Sequence, residues 1–189
     1  MMVQWWRRLL PTTNDPALRA RASAVLAACI SISLAFAVLL LTWLLSGDLE
    51  GITIIAAGVL IAILFGIGVL VRREKVALAG WLLTGILLLL ITADVWSYGL
   101  GSPAAAGYII PILLAVCALG WRAGAGVAAA CSLSVWLLAW GEVAGWHIPF
   151  SPIEVSHLTF NAPALSVIFL IAATIPGVTL AWLTPKEGA

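Results

Sequence analysis

Six stretches of this chain approach the length and apolarity needed to cross a bilayer, and nearly all of its charge lies between them. Crossing about 30 Å of hydrocarbon takes roughly 20 helical residues at 1.5 Å each. The stretches run from Ala22 to Leu45, Ile52 to Val71, Val76 to Ile91 with an extension toward Trp96, Ala104 to Leu119, Gly124 to Trp140, and Ala162 to Leu183. Composition points the same way. Of 189 residues, 63% are hydrophobic and 9% are charged, whereas a soluble domain is nearer half apolar and a quarter charged. A water-soluble fold of this length has no means of hiding so much apolar surface.

Backbone groups inside hydrocarbon must be satisfied within their own segment, which selects helices over open sheets. The expected fold class is therefore all-α: a polytopic membrane protein with six transmembrane helices in a single bundle. Residues 1–21 are expected to form a cytoplasmic N-terminal segment, 22–183 the transmembrane domain, and 184–189 a cytoplasmic tail. The N-terminus does not read as a cleavable signal peptide, because Trp5, Trp6, Pro11 and Asp15 leave no compact apolar core ahead of a cleavage site.

The stretch "LVRREKVALAG" gathers Arg72, Arg73, Glu74 and Lys75 between two apolar runs. With six spans, the N-terminus, the 2–3 loop, the 4–5 loop and the C-terminus share one side. All nine basic residues (Arg7, Arg8, Arg19, Arg21, Arg72, Arg73, Lys75, Arg122 and Lys186) fall on that side. The opposite loops carry only the acids Asp48, Glu50, Asp94, Glu142 and Glu154. Cytoplasmic loops collect Lys and Arg, so the basic side is expected to be the cytoplasm of a bacterial inner membrane. Arg72, Arg73, Lys75 and Arg122 are the expected topology determinants.

Tryptophan placement fits this orientation. Trp43, Trp96, Tyr98, Trp140 and Trp146 fall near the outer interface, and Trp81, Trp121 and Trp182 near the inner one. An amphipathic ring suits that depth and can serve as an anchor with no ligand. Ahead of the first span, Asn14 or Asp15 is placed to cap a helix with Pro16 in its first turn. The preceding "MMVQWWRRLL" suits either an anionic membrane surface or a partner.

Few residues invite chemistry. Cys29, Cys117 and Cys131 match no metal or redox spacing and are read as buried apolar side chains. Asp94 is read as interfacial, with a cavity or proton role as the alternative, since a carboxylate within a span is costly. The longest outer segment, residues 141–163, holds both histidines, His147 and His157. It is expected to form a structured interfacial loop with a short amphipathic helix near Ile153 to Leu158. The histidines are also able to titrate near neutrality. Glu154 and His157 have E-x-x-H spacing, but a helical di-iron site needs that pair twice plus further glutamates. No metal or cofactor is therefore expected.

Gly124 and Gly126, with Ala125, Ala128 and Ala129, are better suited to close helix approach than to phosphate binding. Pro111 and Pro176 mark kinks. There is no HExxH, no G-x-S-x-G and no basic groove with interleaved aromatics, so neither an enzyme nor nucleic-acid binding is expected.

From Asp15 to Leu183 the chain resembles the six-helix membrane regions that precede bacterial sensor histidine kinases and nucleotide cyclases. The lead-in "DPALRARAS" carries part of the likeness. The stretch "YGLGSPAAAGYIIPILLAVCALGWRAGAGVAAACSLSVWLLA" carries the rest, with its G-x-x-S-P turn, proline-bearing fourth helix and tight basic turn into a small-residue fifth helix. Glu142 and Gly145 then close the fifth span. In that family the sixth helix leads into a cytoplasmic output domain, whereas here it meets "WLTPKEGA". The resemblance implies a sensing or anchoring module without its own output domain, acting through a membrane-protein partner or as a homo-oligomer among membrane lipids. Trp96, Tyr98, Glu142, Trp146, His147 and His157 are the candidate outer-face ligand contacts. The alternative is an accessory subunit of a larger membrane complex; a small transporter, which calls for broken helices or inverted repeats, ranks third.

Overall fold

A computed structural model describes residues 15–46, 51–150 and 155–183. Among these the protein is all-α. Its helices are α1 (Pro16–Ser46), α2 (Gly51–Arg72), α3 (Val76–Tyr98), the single turn α4 (Ala104–Gly107), α5 (Ile109–Leu119), α6 (Trp121–Ala144) and α7 (Val155–Leu183). Three helical stretches, Pro16–Thr42, Val76–Tyr98 and Trp121–Ala144, are long and apolar enough to cross a membrane. The apolar stretches Ala57–Arg72, Ala104–Leu119 and Asn161–Pro176 are shorter. In the most apolar windows of the three long helices only 18%, 33% and 39% of residues are buried. Most of each apolar surface thus faces outward, as hydrocarbon permits and water does not.

Helix ends follow from local chemistry. Asp15 caps α1: its Oδ1 accepts the Ala17 amide at 2.9 Å and its carbonyl accepts the Arg19 amide at 3.1 Å. Pro16 takes the first helical position, where its missing N–H costs nothing. The α2–α3 connection is a Schellman turn. Lys75 N–H donates to the Leu70 carbonyl and Glu74 N–H to the Val71 carbonyl, both at 3.0 Å. Glu74 occupies the left-handed position of this turn at φ 62°. The four residues Arg72 to Lys75 are all exposed, so the charge cluster is also a backbone-determined helix stop.

The chain divides into two compact units, Met1–Leu83 and Thr84–Ala189, each of which is described by itself. In the first, α1 packs on α2 through buried small and branched side chains such as Ala22, Val25, Leu64 and Ile67. In the second, α5, α6 and α7 pack on one another around Tyr108, Ile112, Cys131, Val135 and Phe169. The tyrosine hydroxyl donates to Thr92 Oγ1 at 2.8 Å, and its ring meets Phe169 edge-on at 5.6 Å.

Pro111 explains why the fourth segment is split into α4 and α5. A helical proline cannot donate to the carbonyl four residues back, and its ring crowds that carbonyl. Here that carbonyl belongs to Gly107, where α4 ends. Helix α6 packs through Gly124, Val127, Ala128, Cys131, Val135 and Leu138 and exposes Leu133, Trp136, Leu137 and Trp140. A Cβ at Gly124 would overlap the Val116 side chain and fall 3.3 Å from the Val116 Cα. Glycine thus sets the close crossing of α5 and α6. Gly126, Ala125 and Ala129, grouped with it on sequence grounds, are exposed.

Several expectations need correction. Cys117 is exposed, unlike Cys29 and Cys131; it sits on the outward face of a helix that is apolar all round, where burial cannot be read from hydrophobicity. The fifth segment runs past Trp140 to Ala144, so Glu142 is helical. The sixth begins by Val155 and carries Pro163 within it. The connection is therefore shorter than residues 141–163, and residues 155–158 belong to α7 itself; Ile153 lies outside the described residues. "MMVQWWRRLL", Asp48, Glu50, Glu154 and the C-terminal tail lie outside the described residues.

Candidate functional site

One end of the second unit gathers aromatic and polar groups that the sequence holds far apart. Helix α6 ends at Ala144, where Gly145 N–H donates to the Glu142 carbonyl at 3.3 Å. The chain then folds back across the end of α3. His147 N–H donates to the Gly141 carbonyl at 3.2 Å, and Phe150 N–H donates to the Ser97 carbonyl at 2.9 Å. A third tie comes from a side chain: Glu142 Oε1 accepts the Leu100 amide at 3.3 Å. Phe150 thus ties the returning segment to the end of α3, Glu142 ties the end of α6 to the segment that follows α3, and His147 ties the returning segment back to α6.

The rings assemble on that frame. His147 stacks on Trp96 with centroids 4.0 Å apart and planes 29° from parallel. Trp146 lies 6.1 Å from Trp96 and meets Trp140 edge-on at 6.4 Å. Tyr98 and Phe150 form a tilted pair at 6.0 Å. Such offset and edge contacts suit the quadrupoles of the rings. Gly141 makes the arrangement possible, since a Cβ there would meet the Trp146 ring at 2.8 Å.

Beside the stack is an open cleft of about 310 Å³, lined by Trp96, Ser97, His147, Ile148 and Phe150. His147 is only 9% exposed, and its Nε2 has no hydrogen-bond partner among the described residues. The same holds for Glu142 Oε2 and, elsewhere in the unit, for Thr84 Oγ1. A buried polar atom without a partner costs about 1–3 kcal/mol. Two of the three such atoms therefore belong to this one end of the unit.

Of the candidate contacts read from sequence, Trp96, Tyr98, Glu142, Trp146 and His147 come together here. His157 falls in α7, and its side chain lies outside the described residues. Phe150, Ser97 and Trp140 belong to the assembly but were not among those candidates. The spacing of Trp140, Gly141 and Trp146 was the available signal for the ring packing; the Phe150–Ser97 pairing had none. Asp94 is exposed on α3. Among the described residues no group of three or more His, Cys, Asp or Glu side chains is arranged to hold a metal ion.

The residues read as topology determinants lie elsewhere. Arg72, Arg73 and Lys75 are exposed in the α2–α3 turn, and Arg122 is exposed in the first turn of α6, where its guanidinium sits 5.8 Å from the Trp121 ring centre. A larger furrow of about 570 Å³ runs along α1 and α2. Its lining is nearly all apolar, including Leu26, Ile30, Leu34, Ile61 and Phe65, with Arg72 at one end. It has the character of a lipid-facing surface and contains no unpartnered buried polar atom among the described residues. The chain matches no protein-family model, no curated protein and no solved structure.

Proposed function

We propose that this chain is a non-enzymatic, integral membrane module of the sensor or anchor type, which crosses the bilayer six times and acts through a membrane partner. Both termini then lie in the cytoplasm, and the aromatic end of the second unit faces outward. The observation that carries this reading is the cleft beside the Trp96–His147 stack, with the unpartnered, buried Nε2 of His147 among its lining residues. A ligand site has this character: a concavity with apolar walls and a few placed polar groups. The six-span count is supported by the six apolar stretches and by the confinement of all nine Lys and Arg residues to alternate connections.

The competing reading is an accessory subunit of a larger membrane complex. It is favoured by the exposed aromatic surface of Trp140, Trp146 and Phe150, which would suit a neighbouring protein. Purification from native membranes in mild detergent separates the two. The sensor reading expects the Trp96→Ala/His147→Ala variant to keep its companion proteins and to lose stabilisation by membrane-extracted small molecules. The subunit reading expects the same variant to lose its companions.

A further inference from the structure

We infer that the furrow along α1 and α2 is a binding site for an anionic phospholipid, which lays one acyl chain in the furrow and sets its phosphate against Arg72. The inference rests on α1 and α2 spanning a membrane; it uses neither the aromatic cleft nor the side that the basic end faces. Its first support is the pattern of the lining. That lining runs from Leu26 to Ala37 on α1 and from Ile61 to Arg72 on α2, in steps of three and one residues on both. Such steps keep to one face of each helix. Helix α1 ends at Ser46, α2 begins at Gly51, and the two pack on each other, so they run antiparallel. In that order Leu26 comes level with Arg72 and Ala37 with Ile61, which gives a trough with a single charged end.

Length is the second support. The lining covers roughly 16 Å at 1.5 Å per residue, and one leaflet offers about 15 Å, half of the hydrocarbon core. Both helices continue beyond Ala37 and Ile61 without extending the lining. A partner helix crossing the bilayer would follow the pair to its far end, whereas an acyl chain stops at the midplane. The third support is chemistry. Ser33 carries the one side-chain oxygen of the lining, and its hydroxyl donates to the Cys29 carbonyl at 2.8 Å. Short of Arg72, the trough therefore asks for hydrocarbon alone. Gly68 lines it, and a Cβ there would meet nothing within 4 Å, so packing within the chain does not require this glycine. At the charged end, Arg19, Arg21, Arg72, Arg73 and Lys75 are exposed against two acids, Asp15 and Glu74. Guanidinium groups hold phosphate through paired hydrogen bonds, and basic residues beside a membrane attract anionic lipids. A zwitterionic headgroup would bring its own cation to this excess of positive charge; an anionic one brings none.

The test uses the full chain in nanodiscs of equal phosphatidylglycerol and phosphatidylcholine. Each lipid in turn carries a diazirine in its acyl chain, and the residues labelled on irradiation are mapped by mass spectrometry. Phosphatidylglycerol should label residues 26–37 and 61–69 about fivefold or more above phosphatidylcholine. It should also label them above the exposed Leu133 and Trp136 of α6. Arg72→Gln should remove most of the phosphatidylglycerol excess. Gly68→Leu places a side chain in the trough without a clash, so it should abolish labelling there by both lipids. Its thermal midpoint in detergent should stay unchanged or rise, because leucine favours the helix over glycine. Equal labelling by the two lipids overturns the anionic assignment. Labelling no stronger than at α6, or unchanged in both variants, overturns the site and leaves an ordinary lipid-facing surface. Cross-links from the trough to a second copy or a companion protein, with no lipid label, make it a protein interface and overturn it as well.

Discussion

The turn at residues 72–75 and the aromatic end of the second unit solve the same problem, how to finish a membrane helix, in opposite ways. In the turn every charged side chain is exposed, and the backbone alone closes the structure through two hydrogen bonds at 3.0 Å. In the aromatic end backbone pairing is joined by a side-chain tie and by ring packing: a glutamate accepts a distant amide, and a glycine leaves room for a tryptophan. Two polar atoms there are buried without a partner. The turn is complete as it stands, with its charges available to water or lipid headgroups. The other end carries buried polar atoms without a partner among the described residues, close to a cleft. A polar cluster in a membrane protein is thus informative mainly when it is buried.

That contrast can be broken by substitution. The largest effect should come from neutralising Arg72, Arg73 and Lys75 together, which removes three of the nine basic residues. A mixed orientation of α2 and α3 is expected, read by reporter fusions in the turn. Native insertion of the triple variant would show that this turn is only a helix stop. Next in size, Gly141→Ala should cost about 1–3 kcal/mol, because the Trp146 ring must shift out of a filled space. Thermal unfolding in detergent measures the loss, and fluorescence reports the displaced tryptophan. Glu142→Ala should also cost about 1–3 kcal/mol by stranding the Leu100 amide, whereas Glu142→Gln should cost much less. The smallest effect has the opposite sign. A left-handed conformation costs a residue with a Cβ roughly 1–2 kcal/mol, so Glu74→Gly should raise stability by about 1 kcal/mol without altering orientation.

Much of the helical framework was legible in the sequence, because apolar length and helix punctuation are local properties. Asp15 and Pro16 announced the start of α1, the charge cluster announced the end of α2, and Pro111 announced the α4–α5 break four residues upstream. Helix faces were less legible. In a span that is apolar all round, hydrophobicity no longer separates inside from outside, so Cys117 was misplaced. Size is no substitute: Gly126 and Ala129 of α6 are exposed while Leu138 is buried. The candidate site was half legible. Trp96, Tyr98, Glu142, Trp146 and His147 stood out as polar or aromatic residues near helix ends. Their mutual contacts depend on the fold-back of residues 145–150, fixed by backbone pairing with Ser97 that no sequence pattern encodes. The length of that connection was overestimated because the sixth stretch was read as starting at Ala162, whereas α7 is already helical from Val155 and carries Pro163 within it.

The proposed topology assigns these two regions to opposite sides of a membrane, and single-cysteine accessibility tests that proposal most directly. In a background with Cys29, Cys117 and Cys131 replaced, Ser102→Cys beside the aromatic end and Glu74→Cys in the basic turn are each exposed to a membrane-impermeant thiol reagent in intact cells. The account predicts labelling of the Ser102→Cys protein at once, and of the Glu74→Cys protein only after the membrane is permeabilised. Labelling of Glu74→Cys from outside, or identical access to both positions, would contradict it.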